Sequence, residues 1–140
     1  MTDVFSIQAF QFPKGFLWGS STAAHQIEGN NIHSSNWHRE QERLKADPNY
    51  EISSSACNHY NMVEQDIQLL SDLGHQAFRL GVEWARIEPE EGMFLDGEAD
   101  HYVRELAMLK ERGIKTFVTL VHFSVPQWYK EKGDFQKLDN

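Results

Sequence analysis

The chain has 140 residues, 40% of them hydrophobic and 12% aromatic, which is typical of a globular domain rather than a disordered segment. Its 13 basic and 21 acidic residues give a formal net charge of -8. Because phosphate backbones and anionic lipid surfaces repel such a charge, we expect no nucleic acid and no membrane partner.

The sequence also indicates a compartment. Its first residues do not combine a basic stretch with an apolar run, and no run of ~18 apolar residues occurs anywhere. Cys57 is the only cysteine, which excludes an intrachain disulfide and fits a reducing environment. We therefore expect a cytoplasmic protein, with Cys57 as a small buried hydrophobic residue.

In chain order, the first predicted element is a strand over residues 16–19, a short apolar run that follows Pro13 and Gly15. Residues 30–55 are polar and predict a long loop, with a single helical turn near residues 39–45.

A helix is predicted over residues 60–73, because apolar residues recur there every three or four positions and Gly74 follows as a stop. Residues 77–84 then alternate and predict a strand. Its apolar face carries Phe78, Leu80, Val82 and Trp84, and its other face carries Arg79, Gly81 and Glu83.

The same pattern repeats once more. Tyr102, Leu106 and Leu109 predict a second helix that Gly113 closes, and residues 114–121 predict a third strand. Helices between successive strands impose parallel pairing, so we predict the α/β class with a parallel sheet.

Periodicity alone does not separate an open sheet from a barrel. Arg79 and Glu83 share one strand face, which a dry, helix-covered face tolerates poorly and the upper interior of a barrel tolerates better. No G-x-G-x-x-G or P-loop pattern follows the first strand, which argues against nucleotide binding.

Polar residues follow two of the predicted strands. His122 ends the third strand, and Gln26 and Glu28 come shortly after the first. Amide and imidazole groups donate to and accept from sugar hydroxyls, and an aromatic face such as that of Trp128 covers a pyranose ring. Each also has a purely structural interpretation: a satisfied strand-end histidine, a loop hydrogen bond for Gln26, and a turn brace or ion pair for Glu28.

Four ordered stretches resemble glycoside hydrolase family 1, the β-glucosidase and β-glycosidase family, over its N-terminal portion. They are FPKGFLWGSSTAAHQIEG, ACNHYNMVEQDIQLLSDLG, FRLGVEWARIEPEEG and LKERGIKTFVTLVHFSVPQW. The stretches EGNNIHSSNW and ACNHY are most similar to the β-glycosidase branch of the family rather than to its phospho-sugar hydrolases.

The resemblance implies a (β/α)8 TIM barrel that hydrolyses β-linked glucosides or galactosides with retention and without a cofactor. It implies that Gln26 and His122 bind hydroxyls of the terminal sugar, and that Phe123 walls the same subsite. Arg79 would support catalysis by keeping the nucleophilic carboxylate ionised.

The chain departs from the family pattern because it holds neither the Asn-Glu-Pro acid/base motif nor the later nucleophilic glutamate. Its 140 residues hold about three β/α units, where a barrel takes ~250 residues. We therefore expect residues 1–140 to be one incomplete barrel domain with no second domain, inactive alone and completed by a complementing chain or a longer parent.

Three alternatives stay open at this point. Glu28 or Glu83 could stand in for a catalytic acid, although Glu83 could instead pair with Arg79 or Arg86. The histidines at 33 and 38 could suggest zinc, but no C-x-x-C accompanies them, and we expect no metal. The chain could also be a noncatalytic relic or a sugar-binding module.

Overall fold

A computed structural model describes residues 10–136. The sheet and the helices follow each other in the predicted alternation. The elements are β1 (Gly19–Ser21), α1 (Ala24–Ile27), α2 (Ser35–Ala46), α3 (His59–Asp72), β2 (Ala77–Gly81), α4 (Trp84–Ile87), α5 (Asp96–Glu111), β3 (Lys115–Thr119), α6 (Gln127–Glu131) and a 3-10 turn (Asp134–Gln136).

The three strands form one parallel sheet in the order β1-β2-β3, which confirms the predicted α/β class. Ser21, Arg79 and Phe117 lie in register across the sheet. Neighbours in register point to the same side, so Arg79 and Phe117 share the face opposite to Phe78 and Leu80.

Helices α3 and α5 cover the face that carries Phe78 and Leu80. The buried cluster consists of Val63, Ile67, Phe78, Leu80, Leu109 and Ile114. Ile67 and Leu109 have no exposed surface, and burying such a side chain stabilises the fold by about 1.5–3 kcal/mol. The apolar stripes predicted for α3 and α5 are thus confirmed at their centres, whereas Leu73 at the end of α3 is 74% exposed.

Several predicted boundaries are wrong. The first strand lies at Gly19–Ser21 rather than at residues 16–19, and Trp18 just before it is 56% exposed. The second strand ends at Gly81, because the chain then turns into the short helix α4, which begins at Trp84 with Glu83 in the N-cap position. The third strand ends at Thr119, two residues before the predicted end.

The predicted long loop contains a regular helix instead of a single turn. Ser34 caps α2 by accepting the Trp37 N–H at 3.1 Å, as a serine at this position commonly does. The Ser34 side chain is fully buried and also lies 3.3 Å from Nδ1 of His25, which fixes α2 against α1.

Close backbone approach requires glycine at the start of the sheet. A Cβ on Gly19 would lie 2.1 Å from the carbonyl oxygen of Ala77, its register partner in β2. A backbone oxygen cannot move aside as a flexible side chain can, so β1 pairs closely with β2 only because residue 19 lacks a side chain.

Within residues 10–136, β1 and β3 each have one edge that pairs with no further strand, and apolar side chains on or next to β3 are exposed. Phe117 is 52% exposed, Val118 44% and Leu120 72% on or next to β3. No helix in the part of the chain that the structure describes has the length and hydropathy needed to cross a membrane.

Candidate active site

The segments that follow the three strands emerge at one edge of the sheet, because the strands are parallel. Two hydrogen bonds extend the ladder beyond the strands: Thr22 N–H donates to Arg79 O at 3.1 Å, and Val82 N–H donates to Thr119 O at 3.0 Å. In barrels and open α/β sheets this carboxyl edge is where ligands bind.

Gln26 lies at this edge, in the single turn of α1, and is exposed. Its neighbour His25 is buried and contacts Glu40 through Nε2 at 3.0 Å. Glu40 in turn accepts the hydroxyl and the N–H of Ser53 at 2.7 and 3.0 Å. The buried histidine thus anchors the turn and leaves the Gln26 amide accessible to solvent.

Arg79 points away from the helices and toward the open face of the sheet. One guanidinium nitrogen donates to Thr22 O at 3.1 Å, and its buried Nε has no hydrogen-bond partner among residues 10–136. No carboxylate in that part of the chain forms a salt bridge with Arg79. The cation is therefore held at the sheet face without a counter-ion from these residues.

His122 and Phe123 lie in the bend that follows β3, and their ring centroids are 5.0 Å apart in an edge-to-face arrangement. Phe123 is 87% exposed and has a φ of +63°, a left-handed conformation uncommon for a residue with a Cβ. His122 is half-buried. Trp128 lies beyond this bend, in α6, and its Nε1 donates to Glu88 O at 3.1 Å.

A buried polar network that the sequence did not suggest lies beneath this edge. Glu28 and Arg86 form a salt bridge at 2.7 Å, which confirms the predicted pairing of Glu28 with a basic residue. The Tyr102 hydroxyl donates to Glu28 Oε1 at 2.8 Å and accepts the Glu83 N–H at 3.1 Å. Burial raises the pKa of the Glu28 carboxyl, although Arg86 and Tyr102 oppose that effect.

The Glu83 side chain forms a salt bridge with neither Arg79 nor Arg86 in the described residues, so the alternative of an ion pair at this position does not hold. Its Oε1 accepts the Ser124 hydroxyl at 3.1 Å, and Glu83 is 2% exposed. Burial, reinforced by the nearby charge of Glu28, raises the pKa of Glu83 to about 7. Because Glu28 and Glu83 are both buried within this network, neither presents a carboxylate to a sugar at the surface.

Cys57 is exposed, which overturns its expected place in the core. The described residues contain no group of three or more histidine, cysteine, aspartate or glutamate side chains arranged to hold a metal ion.

Gln26 follows β1 and both His122 and Phe123 follow β3 at the carboxyl edge of the sheet, whereas Arg79 lies within β2 on the face opposite to the core. Periodicity missed Tyr102, since it treated this residue as one member of an apolar stripe. No local pattern could have found its role, because the hydrogen bond between Tyr102 and Glu28 joins residues 74 positions apart.

Comparison with known proteins agrees with this architecture. Residues 8–139 match the sequence model of Glycosyl hydrolase family 1. The chain is 38% identical over 128 residues to beta-glucosidase A of Thermotoga maritima, and the match covers 88% of this chain and 29% of that protein.

A plant relative and a solved structure show the same pattern. A chloroplastic benzoxazinoid glucoside beta-D-glucosidase from Zea mays is 38% identical, with 86% of this chain and 23% of that protein covered. The structure of a beta-glycosidase from Pyrococcus horikoshii superposes with a TM-score of 0.82 at 40% identity, and the match covers 90% of this chain and 29% of that one. The chain therefore spans between 23% and 29% of the length of these three relatives.

Proposed function

Because the chain belongs to glycosyl hydrolase family 1, we propose that it is the N-terminal part of a retaining β-glycosidase. The substrate class is a glycoside or oligosaccharide with a terminal β-linked glucose or galactose. Solved complexes of the Thermotoga maritima beta-glucosidase with cyclophellitol and a glucoimidazole support a sugar-sized ligand for this fold.

The observation that carries the proposal is the unbalanced charge of Arg79. Its guanidinium lies on the sheet face opposite to the core, and no carboxylate among residues 10–136 pairs with it. A cation held in this way lowers the pKa of an acid brought next to it. We propose that this acid is the nucleophilic glutamate of retaining hydrolysis, supplied by a later β/α unit.

Gln26, His122 and Phe123 are proposed to form part of the sugar-binding subsite. Gln26 and His122 supply groups that both donate and accept, which suits vicinal hydroxyls, and Phe123 offers an aromatic face that is 87% exposed. Because Phe123 is largely exposed, its ring is accessible to a ligand or to another part of the barrel.

Hydrolysis is proposed to require the remaining barrel units. Retention uses two carboxyl groups ~5 Å apart and no cofactor, one of them protonating the leaving oxygen and the other attacking the anomeric carbon. Glu28 and Glu83 are 3% and 2% exposed and engaged with Arg86 and Ser124, which supports their exclusion from both roles. We therefore infer that residues 1–140 are a partial barrel domain, inactive alone.

The open edges of the sheet support completion by further units. The exposed apolar side chains at 117, 118 and 120 would be covered if a fourth strand paired with β3 and a helix packed behind it. The additional units would come from a longer parent chain or from a complementing chain.

The test is hydrolysis of a chromogenic β-glucoside and a β-galactoside by the 140-residue chain, alone and mixed with the C-terminal part of a family 1 relative. Activity only in the mixture supports the proposal, and Arg79→Gln should reduce it. Activity of the chain alone would contradict the proposal and would make Glu28 and Glu83 the candidate catalytic acids. Sugar binding without hydrolysis in any mixture would favour a noncatalytic sugar-binding module.

A further inference from the structure

Glu83 is a buried carboxylate that the proposed chemistry does not use. It lies between β2 and α4, and no cation forms a salt bridge with it among residues 10–136. Burying such a group is costly unless its oxygens receive hydrogen bonds. The Oε1 of Glu83 accepts the Ser124 hydroxyl at 3.1 Å.

Ser124 directly follows Phe123, whose left-handed φ of +63° is unfavourable for a residue with a Cβ. Such a conformation persists only where neighbouring contacts fix it. Ser124 is 6% exposed, and the next residue, Val125, exchanges hydrogen bonds with Ser35: its carbonyl accepts the Ser35 N–H at 2.8 Å, and its N–H donates to the Ser35 hydroxyl at 3.3 Å.

The turn is therefore held at its C-terminal end from two sides. Helix α2 holds Val125 through the backbone and hydroxyl of Ser35, and the end of β2 holds Ser124 through the carboxylate of Glu83. The second contact joins residues 41 positions apart, and it ties the loop that follows β3 directly to the loop that follows β2.

We propose that Glu83 is a positioning residue, which holds the His122–Phe123 turn at the sugar subsite through its hydrogen bond with Ser124. The inference rests on the proposed function only in that His122 and Phe123 are assigned to the sugar. The role needs an acceptor oxygen at this position and not a negative charge, so glutamine should replace glutamate. Alanine should not, because it leaves the buried Ser124 hydroxyl without its acceptor.

The experiment compares Glu83→Ala, Glu83→Gln and Ser124→Ala with the unaltered chain by amide hydrogen exchange of residues 120–125. Val63→Ala, a core substitution distant from the turn in sequence, controls for general loss of stability. Exchange is measured without substrate, on the chain alone and after mixing with the C-terminal part of a family 1 relative. The kcat and KM for a chromogenic β-glucoside are measured on the mixture.

We expect Glu83→Ala and Ser124→Ala each to speed exchange in this turn by about tenfold, beyond any change in the β2 and β3 amides, and Glu83→Gln to change it by less than about threefold. In the mixture, Glu83→Ala should lower kcat/KM by about tenfold, and Glu83→Gln should restore most of it.

Unchanged exchange in Ser124→Ala, or equal effects of alanine and glutamine at position 83, would overturn the proposal. Exchange that rises equally throughout the chain, as in Val63→Ala, would also overturn it, because the effect would then be general instability. If the turn loosens as expected but no mixture hydrolyses any glycoside, the proposed function fails and the Glu83 contact stands.

Discussion

Raising the pH above 7 is expected to destabilise this chain by titrating one buried histidine. His59 begins α3 and is 4% exposed; its Nδ1 lies 2.6 Å from Asp66 and its Nε2 lies 3.0 Å from Glu105 on α5. Burial by itself lowers the pKa of the imidazole, but the hydrogen bonds and charges of Glu105 and Asp66 outweigh burial and raise the pKa from 6.5 to about 9.

The magnitude follows from the difference between the folded and unfolded pKa. About 2.5 units at 1.36 kcal/mol each give roughly 3 kcal/mol of stability. Because the folded value is the higher one, this contribution is fully present below pH 6.5 and is lost as the pH rises to about 9. Glu105 is 1% exposed, so deprotonation of His59 leaves a buried carboxylate without its cation.

The assay is denaturant unfolding of the chain and of His59→Gln at pH 6.5 and pH 9.5. The unaltered chain should lose about 2–3 kcal/mol more than the variant over this interval. Since Glu83 is present in both proteins, its own titration cancels in the difference. His38→Gln, at an exposed position, is the matched control and should behave as the unaltered chain does. Equal losses in the chain and in His59→Gln would refute the assigned charge of His59.

Three further predictions concern the site and the core. In an assembled enzyme, Gln26→Ala or His122→Ala should lower kcat/KM by more than about tenfold, because hydroxyl contacts strengthen in the transition state; steady-state kinetics that stay unchanged for both would contradict the sugar-binding assignment. Gly19→Ala places a Cβ 2.1 Å from Ala77 O and should cost about 1–3 kcal/mol in denaturant unfolding, whereas a neutral result would mean that β1 can shift away from β2. Leu109→Ala removes a side chain with no exposed surface and should cost about 2–5 kcal/mol; a smaller loss in thermal unfolding would show that α5 repacks onto the sheet.

The elements that periodicity predicted correctly are those that bury a stripe. Apolar residues recur at helical spacing in α3, around Ile67, and in α5, around Leu109, because both helices pack on the sheet. Phe78 and Leu80 occupy alternate positions because one face of β2 packs against these two helices. Helix α2 was missed because none of its residues is buried, so no apolar stripe marks it. Its only clear signal is the cap at Ser34, which a polar sequence obscures.

Strand ends were predicted less well, for a different physical reason. Val82 and Trp84 continue the alternation of β2, but the chain leaves the sheet after Gly81 and forms the turn of α4. Alternation measures which side chains are apolar and not which backbone groups pair. The buried network was equally inaccessible to local patterns, since the hydrogen bond between Tyr102 and Glu28 joins residues 74 positions apart.

The contacts of this chain divide the candidate site into two parts. The turn that carries His122 is tied to Glu83 and to α2 through Ser124 and Val125, all within residues 10–136. Arg79 has no carboxylate partner among the same residues. Recognition of the sugar and activation of the nucleophile are therefore expected to separate experimentally: loosening the turn should lower kcat/KM in an assembled enzyme without moving its pH profile, whereas Arg79→Gln should act mainly on kcat and on its pH dependence, because the pKa of the nucleophile would no longer be lowered by a cation.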